Sequence, residues 1–103
     1  MIEIRHYVDR TGRNVFERWF NKLDEAVQAR VTVYLDRLER GNTSAVKAIG
    51  GMLQELRLDF GPGYRIYFVW DGKRLVILLG GGTKWRHEAA AIIGYRAGAC
   101  TLD

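Results

Sequence analysis

Hydrophobic and polar positions alternate at the start of the chain, where Ile2, Ile4, His6 and Val8 are interleaved with Glu3, Arg5 and Tyr7. A period of two predicts a half-buried strand. The period then changes. Val15, Phe16, Trp19, Phe20 and Leu23 form one stripe of an amphipathic helix, with Thr11 as its upstream cap. Asp24 is placed to cap a second helix whose apolar face is Val27, Val31, Tyr34, Leu35 and Leu38, and Gly41-Asn42 supplies the stop. So short a connection predicts an antiparallel helical hairpin.

Beyond Gly41 the period returns to two. Leu56 and Leu58 alternate with Glu55, Arg57 and Asp59, and Phe60-Gly-Pro-Gly63 reads as a turn. Tyr64, Ile66, Phe68 and Trp70 then alternate with Arg65, Tyr67 and Val69, up to a hairpin turn at Asp71-Gly72. Arg74-Leu-Val-Ile-Leu-Leu79 is nearly continuous in apolar residues, the pattern of a central strand buried on both faces. Gly80-Gly-Gly82 is expected to end it, with Thr83 capping a short last helix from Lys84 to about Tyr95. The expected fold is α+β in the order β-α-α-β-β-β-α. The helical hairpin packs on the sheet face that carries Leu56, Leu58, Ile66 and Phe68.

Composition narrows the classes. A chain of 103 residues, 48% of them apolar, is expected to form a single domain over 1–103. No run of about 18 apolar residues is present to span a membrane, and the N-terminus lacks the apolar segment of a secretory signal. One cysteine, Cys100, forms no internal disulfide and fits a reducing, cytoplasmic setting. It and two distant histidines, His6 and His87, do not make a zinc ligand set.

Net charge is +4, and its distribution is uneven. Residues 1–46 nearly balance, whereas residues 47–96 hold eight basic against four acidic side chains. Twelve of the sixteen basic residues are arginine, whose planar fork suits phosphate. Arg57 and Arg65 fall on the sheet face opposite the helices, together with Tyr67. They could be solvated charges on a wet sheet face, or the floor of a site for an anion. Strands about 4.8 Å apart bring the three side chains into one cluster. Guanidinium groups with a tyrosine on an open sheet suit single-stranded nucleic acid.

The run Val46-Lys-Ala-Ile-Gly-Gly-Met-Leu-Gln-Glu-Leu-Arg-Leu-Asp-Phe-Gly-Pro-Gly-Tyr-Arg-Ile-Tyr-Phe68, with Leu75-Val-Ile-Leu-Leu-Gly-Gly-Gly-Thr-Lys84, resembles the RelE/ParE superfamily of type II toxins, and within it the HigB-like addiction-module killer proteins. The matching elements are Lys-x-x-Gly-Gly, Glu-Leu-Arg, Gly-Pro-Gly-Tyr-Arg and Leu-Leu-x-Gly-Gly-x-Lys, and the likeness extends over roughly residues 1–84.

The resemblance implies a metal-independent ribonuclease, without a cofactor, that cleaves mRNA in the ribosome and is silenced by a cognate antitoxin, commonly of helix-turn-helix type. The mRNA 2′-OH attacks the adjacent phosphorus. Arg57 and Arg65 are then expected at the phosphate, with Lys84 or Lys47 assisting and His87 as the acid–base candidate. Tyr67 is expected to stack on a base, with Arg86 also on the RNA; His6 is expected to be structural. Relatives continue past the lysine with a charged helix. Here the chain reads Trp85-Arg-His-Glu-Ala-Ala-Ala-Ile-Ile-Gly94, with a further glycine at Gly98. That departure keeps a second hypothesis open: a non-catalytic binding protein, either a ParE-like gyrase inhibitor or an antitoxin-binding remnant.

Overall fold

The computed structural model describes residues 1–83 and 101–102. Its elements are β1 (Glu3–Tyr7), α1 (Val15–Asn21), α2 (Glu25–Glu39), β2 (Val46–Gly50), β3 (Leu53–Arg57), β4 (Arg65–Asp71), β5 (Leu75–Gly82) and β6 (Thr101–Leu102). The strands form one sheet in the order β2-β3-β4-β5-β1-β6. Neighbours are antiparallel except β1 and β5, which run parallel. A parallel pair needs a long crossover, and here the helices and the intervening hairpins supply it. The α+β class and mainly antiparallel sheet are as expected. The helix expected from Lys84 to about Tyr95 lies outside the described residues.

Two strands were not anticipated. In β2 only Val46 is partly covered and the next four residues are exposed. An edge strand with no buried face carries no alternating pattern, so periodicity does not mark it. Backbone pairing holds it instead, with Lys47 opposite Glu55 and Ala48 opposite Gln54. At the other edge, the two residues of β6 pair with His6 and Tyr7, a segment too short to show any period.

Helix α1 is capped one turn later than expected. Asn14, in extended conformation, accepts a hydrogen bond from Glu17 N at its side-chain oxygen (2.9 Å). Its amide nitrogen donates to His6 Nδ1 at 2.8 Å, which ties β1 to the helix start. Thr11 belongs to a separate turn, in which Asp9 Oδ1 accepts from Thr11 N, Thr11 Oγ1 and Arg13 N. The Thr11 and Arg13 hydrogen bonds hold the Asp9 carboxyl below the usual carboxylate range. Asp24 occupies the cap position of α2 but makes no side-chain capping bond.

The helical face of the sheet is the one expected. Phe16, Val31 and Leu38 from the helices form one buried cluster with Leu56, Leu58, Ile66, Phe68, Val76 and Leu78. The opposite face differs. Tyr7, Leu53, Tyr67, Val69, Ile77 and Leu79 make a second buried cluster, so that face is covered at its centre and open around Arg57 and Arg65 and, on β1, around Glu3 and Arg5. Both faces of β5 are therefore covered, as its apolar run predicts.

The glycines after Leu79 continue β5 instead of ending it. At Gly81 the reason is close approach: a Cβ there would overlap the six-membered ring of Trp19. Glycine lets α1 lie directly on the strand. Gly81→Ala is expected to destabilise by about 1–3 kcal/mol through overpacking. Combining it with Trp19→Leu should recover part of that loss in urea unfolding. An unchanged midpoint for the single variant would contradict the contact.

Candidate functional site

Arg57 ends β3 and Arg65 begins β4, and the antiparallel register sets them directly opposite each other. The turn between them makes this possible. Gly63 N donates to the Phe60 carbonyl at 3.1 Å, and Gly61 and Gly63 adopt φ of 55° and 85°, a region closed to most side chains. Two residues along the same face lies Glu55, whose cross-strand neighbours are Lys47 on β2 and Tyr67 on β4. Period two therefore stacks a row of Lys47, Glu55 and Tyr67 beside a row of Arg57 and Arg65.

Glu55 is the unusual member, a carboxylate only 1% exposed. Its Oε1 accepts from Arg57 Nε at 2.6 Å, and its Oε2 lies 3.7 Å from Arg65 Nη1. The two arginine side chains are 47% and 36% exposed, so each has Glu55 below it and solvent above. One buried carboxylate thus reaches toward both arginines. Among the described residues an excess still remains, since three cations (Lys47, Arg57 and Arg65) adjoin two anions, the buried Glu55 and the exposed Asp59. Holding Arg57 through Nε leaves its two Nη groups for an incoming oxyanion, in the paired geometry that suits phosphate.

Tyr67 needs a correction too. It is fully buried within the second cluster, because its position, opposite Glu55, lies inward from the sheet corner. Stacking on a base is closed to it. Among the described residues the rings that line clefts with the arginines are Tyr64 and Tyr34, which the sequence reading placed in a strand and on the apolar face of a helix. Tyr64 lines a cleft of about 280 Å³ with Arg57, Arg65, Pro62 and Thr83. The Gly-Pro-Gly turn that delivers Arg65 delivers Tyr64 as well, and this was the available signal. A larger cleft of about 410 Å³, lined by Tyr34, Arg37, Asn42, Ser44 and Lys47, shares Arg57 and Asp59 with the first.

Lys84, Arg86 and His87 lie outside the described residues. His6 is half-buried, bonded to Asn14 and set edge-on to Phe16 with centroids 5.1 Å apart. It packs, as expected. Among the described residues no three His, Cys, Asp or Glu side chains come together as a metal site, and no helix is long and apolar enough to cross a membrane. What the corner does offer chemically is charge stabilisation at an anion from two oriented guanidinium groups.

Comparison with known proteins places the chain in a family. Residues 18–91 match the family model described as Phage derived protein Gp49-like (DUF891), a span that includes both arginines. A 70-residue stretch is 39% identical to an uncharacterized protein of Haemophilus influenzae, covering 67% of this chain and 71% of that protein. The chain thus belongs to the phage-derived Gp49-like family, a RelE-like toxin family associated with toxin–antitoxin systems.

Proposed function

We propose that this protein is the toxin of a type II toxin–antitoxin module, of the HigB-like kind, and that it cleaves mRNA on the ribosome without a metal ion. The observation that carries the reading is the cross-strand Arg57–Arg65 pair above the buried Glu55. In-line attack by a ribose 2′-OH on the adjacent phosphorus gives a 2′,3′-cyclic phosphate and a free 5′-OH. Charge accumulates on the non-bridging oxygens as the new bond forms. Two guanidinium groups fixed before the substrate arrives stabilise that charge with little reorganisation. Lys47 adds a third positive charge at the rim. Lys84 is assigned to the same phosphate, Arg86 to the flanking RNA, and His87 to proton transfer at the reacting oxygens.

The antitoxin fits the same corner. A segment that brings Asp or Glu to Arg57 and Arg65 would occupy the phosphate position, with apolar anchors supplying most of the affinity and the charges speeding association. The compartment is the cytoplasm, where translating ribosomes are found.

The test is to add purified protein to a translating extract and map the mRNA ends. Fragments bearing a 2′,3′-cyclic phosphate, absent when RNA is offered without ribosomes, are expected. Growth arrest with intact mRNA would instead support the binding-only alternative, with gyrase as the first target to assay.

A further inference from the structure

The larger cleft is separate from the arginine pair yet shares a wall with it. It opens between the end of α2 and the β2–β3 ladder, and Arg57 and Asp59 line both spaces. A ligand lying on Arg57 is therefore adjacent to the cleft that Tyr34, Arg37 and Asn42 line. At about 410 Å³ the cleft falls within the size range of small-ligand sites.

Its lining is poised for an anion with a flat ring attached. Arg37, Lys47 and Arg57 face it against the single carboxylate of Asp59. Asp36, the acid next to Arg37, pairs with Arg40 at 3.1 Å, and among the described residues no carboxylate pairs with Arg37. Glu55, opposite Lys47 in the ladder, is turned to the arginines instead. Asn42 commits its Oδ1 to Ser44 N (3.0 Å), which leaves its amide N–H groups as donors for a ligand. Tyr34 is held in place by Asp59 N donating to its hydroxyl at 3.3 Å and by the Phe60 ring at 6.1 Å. The Arg37 guanidinium lies 5.4 Å from the centre of its ring.

We propose that this cleft is a nucleotide subsite that holds the residue of single-stranded RNA adjoining the reacting phosphate. Arg37 and Lys47 take its phosphate, and Asn42 and Tyr34 meet its base. This rests on the RNA-cleaving reading above and adds to it a cleft that selects a base beside the cut. Single-stranded bases are recognised in this way, by ring or guanidinium stacking and by amide hydrogen bonds to their edges. An acidic protein segment would use the cations but would leave the ring and the amide donors idle.

The test compares wild type with Arg37→Ala, Arg37→Gln and Asn42→Ala, all at exposed positions, after melting curves confirm that each is folded. Binding is read by anisotropy with a fluorescein-labelled, fully 2′-O-methylated ten-nucleotide RNA, and cut sites are mapped on ribosome-bound mRNA. Both Arg37 variants should weaken RNA binding roughly tenfold and lower the salt slope by about 0.7, the loss of one single-strand phosphate contact. Asn42→Ala should broaden base preference at one position beside the cut. If wild type cuts mRNA while all variants match it in affinity, salt slope and cut sites, the subsite is refuted and the RNA-cleaving reading stands. If the Arg37 variants lose only affinity for an acidic antitoxin peptide, the cleft is a protein-docking site and the proposal is overturned. A wild type that neither binds the RNA nor cuts mRNA would overturn the parent reading, and the subsite with it.

Discussion

Arg57→Ala is expected to slow mRNA cleavage by about a hundredfold, the equivalent of about 3 kcal/mol of lost charge stabilisation in the transition state. It is also expected to cost stability, because the guanidinium is the hydrogen-bond partner of a carboxylate that is 1% exposed. Leaving that acceptor unpaired should cost about 1–2 kcal/mol, the lower part of the usual range because Arg57 itself is half in water. Arg65 makes the useful comparison. Its Nη1 is 3.7 Å from Glu55 Oε2, beyond hydrogen-bonding reach. Arg65→Ala should therefore match the loss of rate while lowering the melting temperature less.

Glu55→Gln separates the two roles of Arg57. Combined with Arg57→Ala it removes the buried charge that the single variant strands, so the double variant should melt higher than Arg57→Ala alone. Its cleavage rate should stay as low. If restoring stability also restored the rate, Arg57 would be acting through the fold and not at the phosphate. Equal rates in wild type and both arginine variants would remove the arginine pair from the reaction altogether.

Phe16→Ala should destabilise by about 3–5 kcal/mol, the usual cost of truncating a buried aromatic side chain. Phe16 is the buried residue of α1, with Trp19 and Phe20 ring centroids at 5.7 and 5.9 Å and His6 against its edge. It joins α1 to the sheet, so its loss opens a cavity bounded by strands that cannot close over it. Phe20 shares the same stripe but is only half-buried, and Phe20→Ala should cost distinctly less. Chemical unfolding of the two variants decides the matter. Equal losses would mean that α1 is rotated about its axis relative to the sheet.

Phe16 and Phe20 show where sequence reading is strong and where it stops. The spacing of Val15, Phe16, Trp19 and Phe20 places all four on one face of a helix, since 3.6 residues per turn is a local property of the backbone. Which of them sits deepest depends on how the helix meets its neighbour. That angle is set by Gly81, sixty-two residues beyond Trp19 and recognisable in the sequence only as part of a glycine run expected to end the strand. The cap of α1 was missed for a similar reason. Thr11 and Asn14 are both good capping residues, and the choice fell to Asn14 because it also reaches His6 on β1, a contact between elements.

The candidate site divides along the same line. Period two in Glu55-Leu-Arg57 and the turn through Gly63 are local, so the sharing of one sheet face by Arg57 and Arg65 could be read from the chain, as could the charge excess around them. Three features could not. Tyr67 obeys the alternation and shares the arginines' face, yet that face is covered where Tyr67 lies and open at the corner where the arginines stand. Burial of one sheet face is decided by what packs on it, which no period records. Glu55 looks like an ordinary strand acid. Its role as the anchor beneath both guanidinium groups depends on the register of β3 against β4, which sets a Cα pair and with it every side-chain distance. Finally, β2 is an edge strand with little burial, and the cleft beside it joins residues 34–47 to residues 56–59. Local sequence determined the helices, the arginine pair and the family motifs, because hydrophobic period and turn chemistry act over a few residues. Only the tertiary structure decided which side of that pair faces solvent and what holds it, because those depend on contacts between segments that the chain keeps far apart.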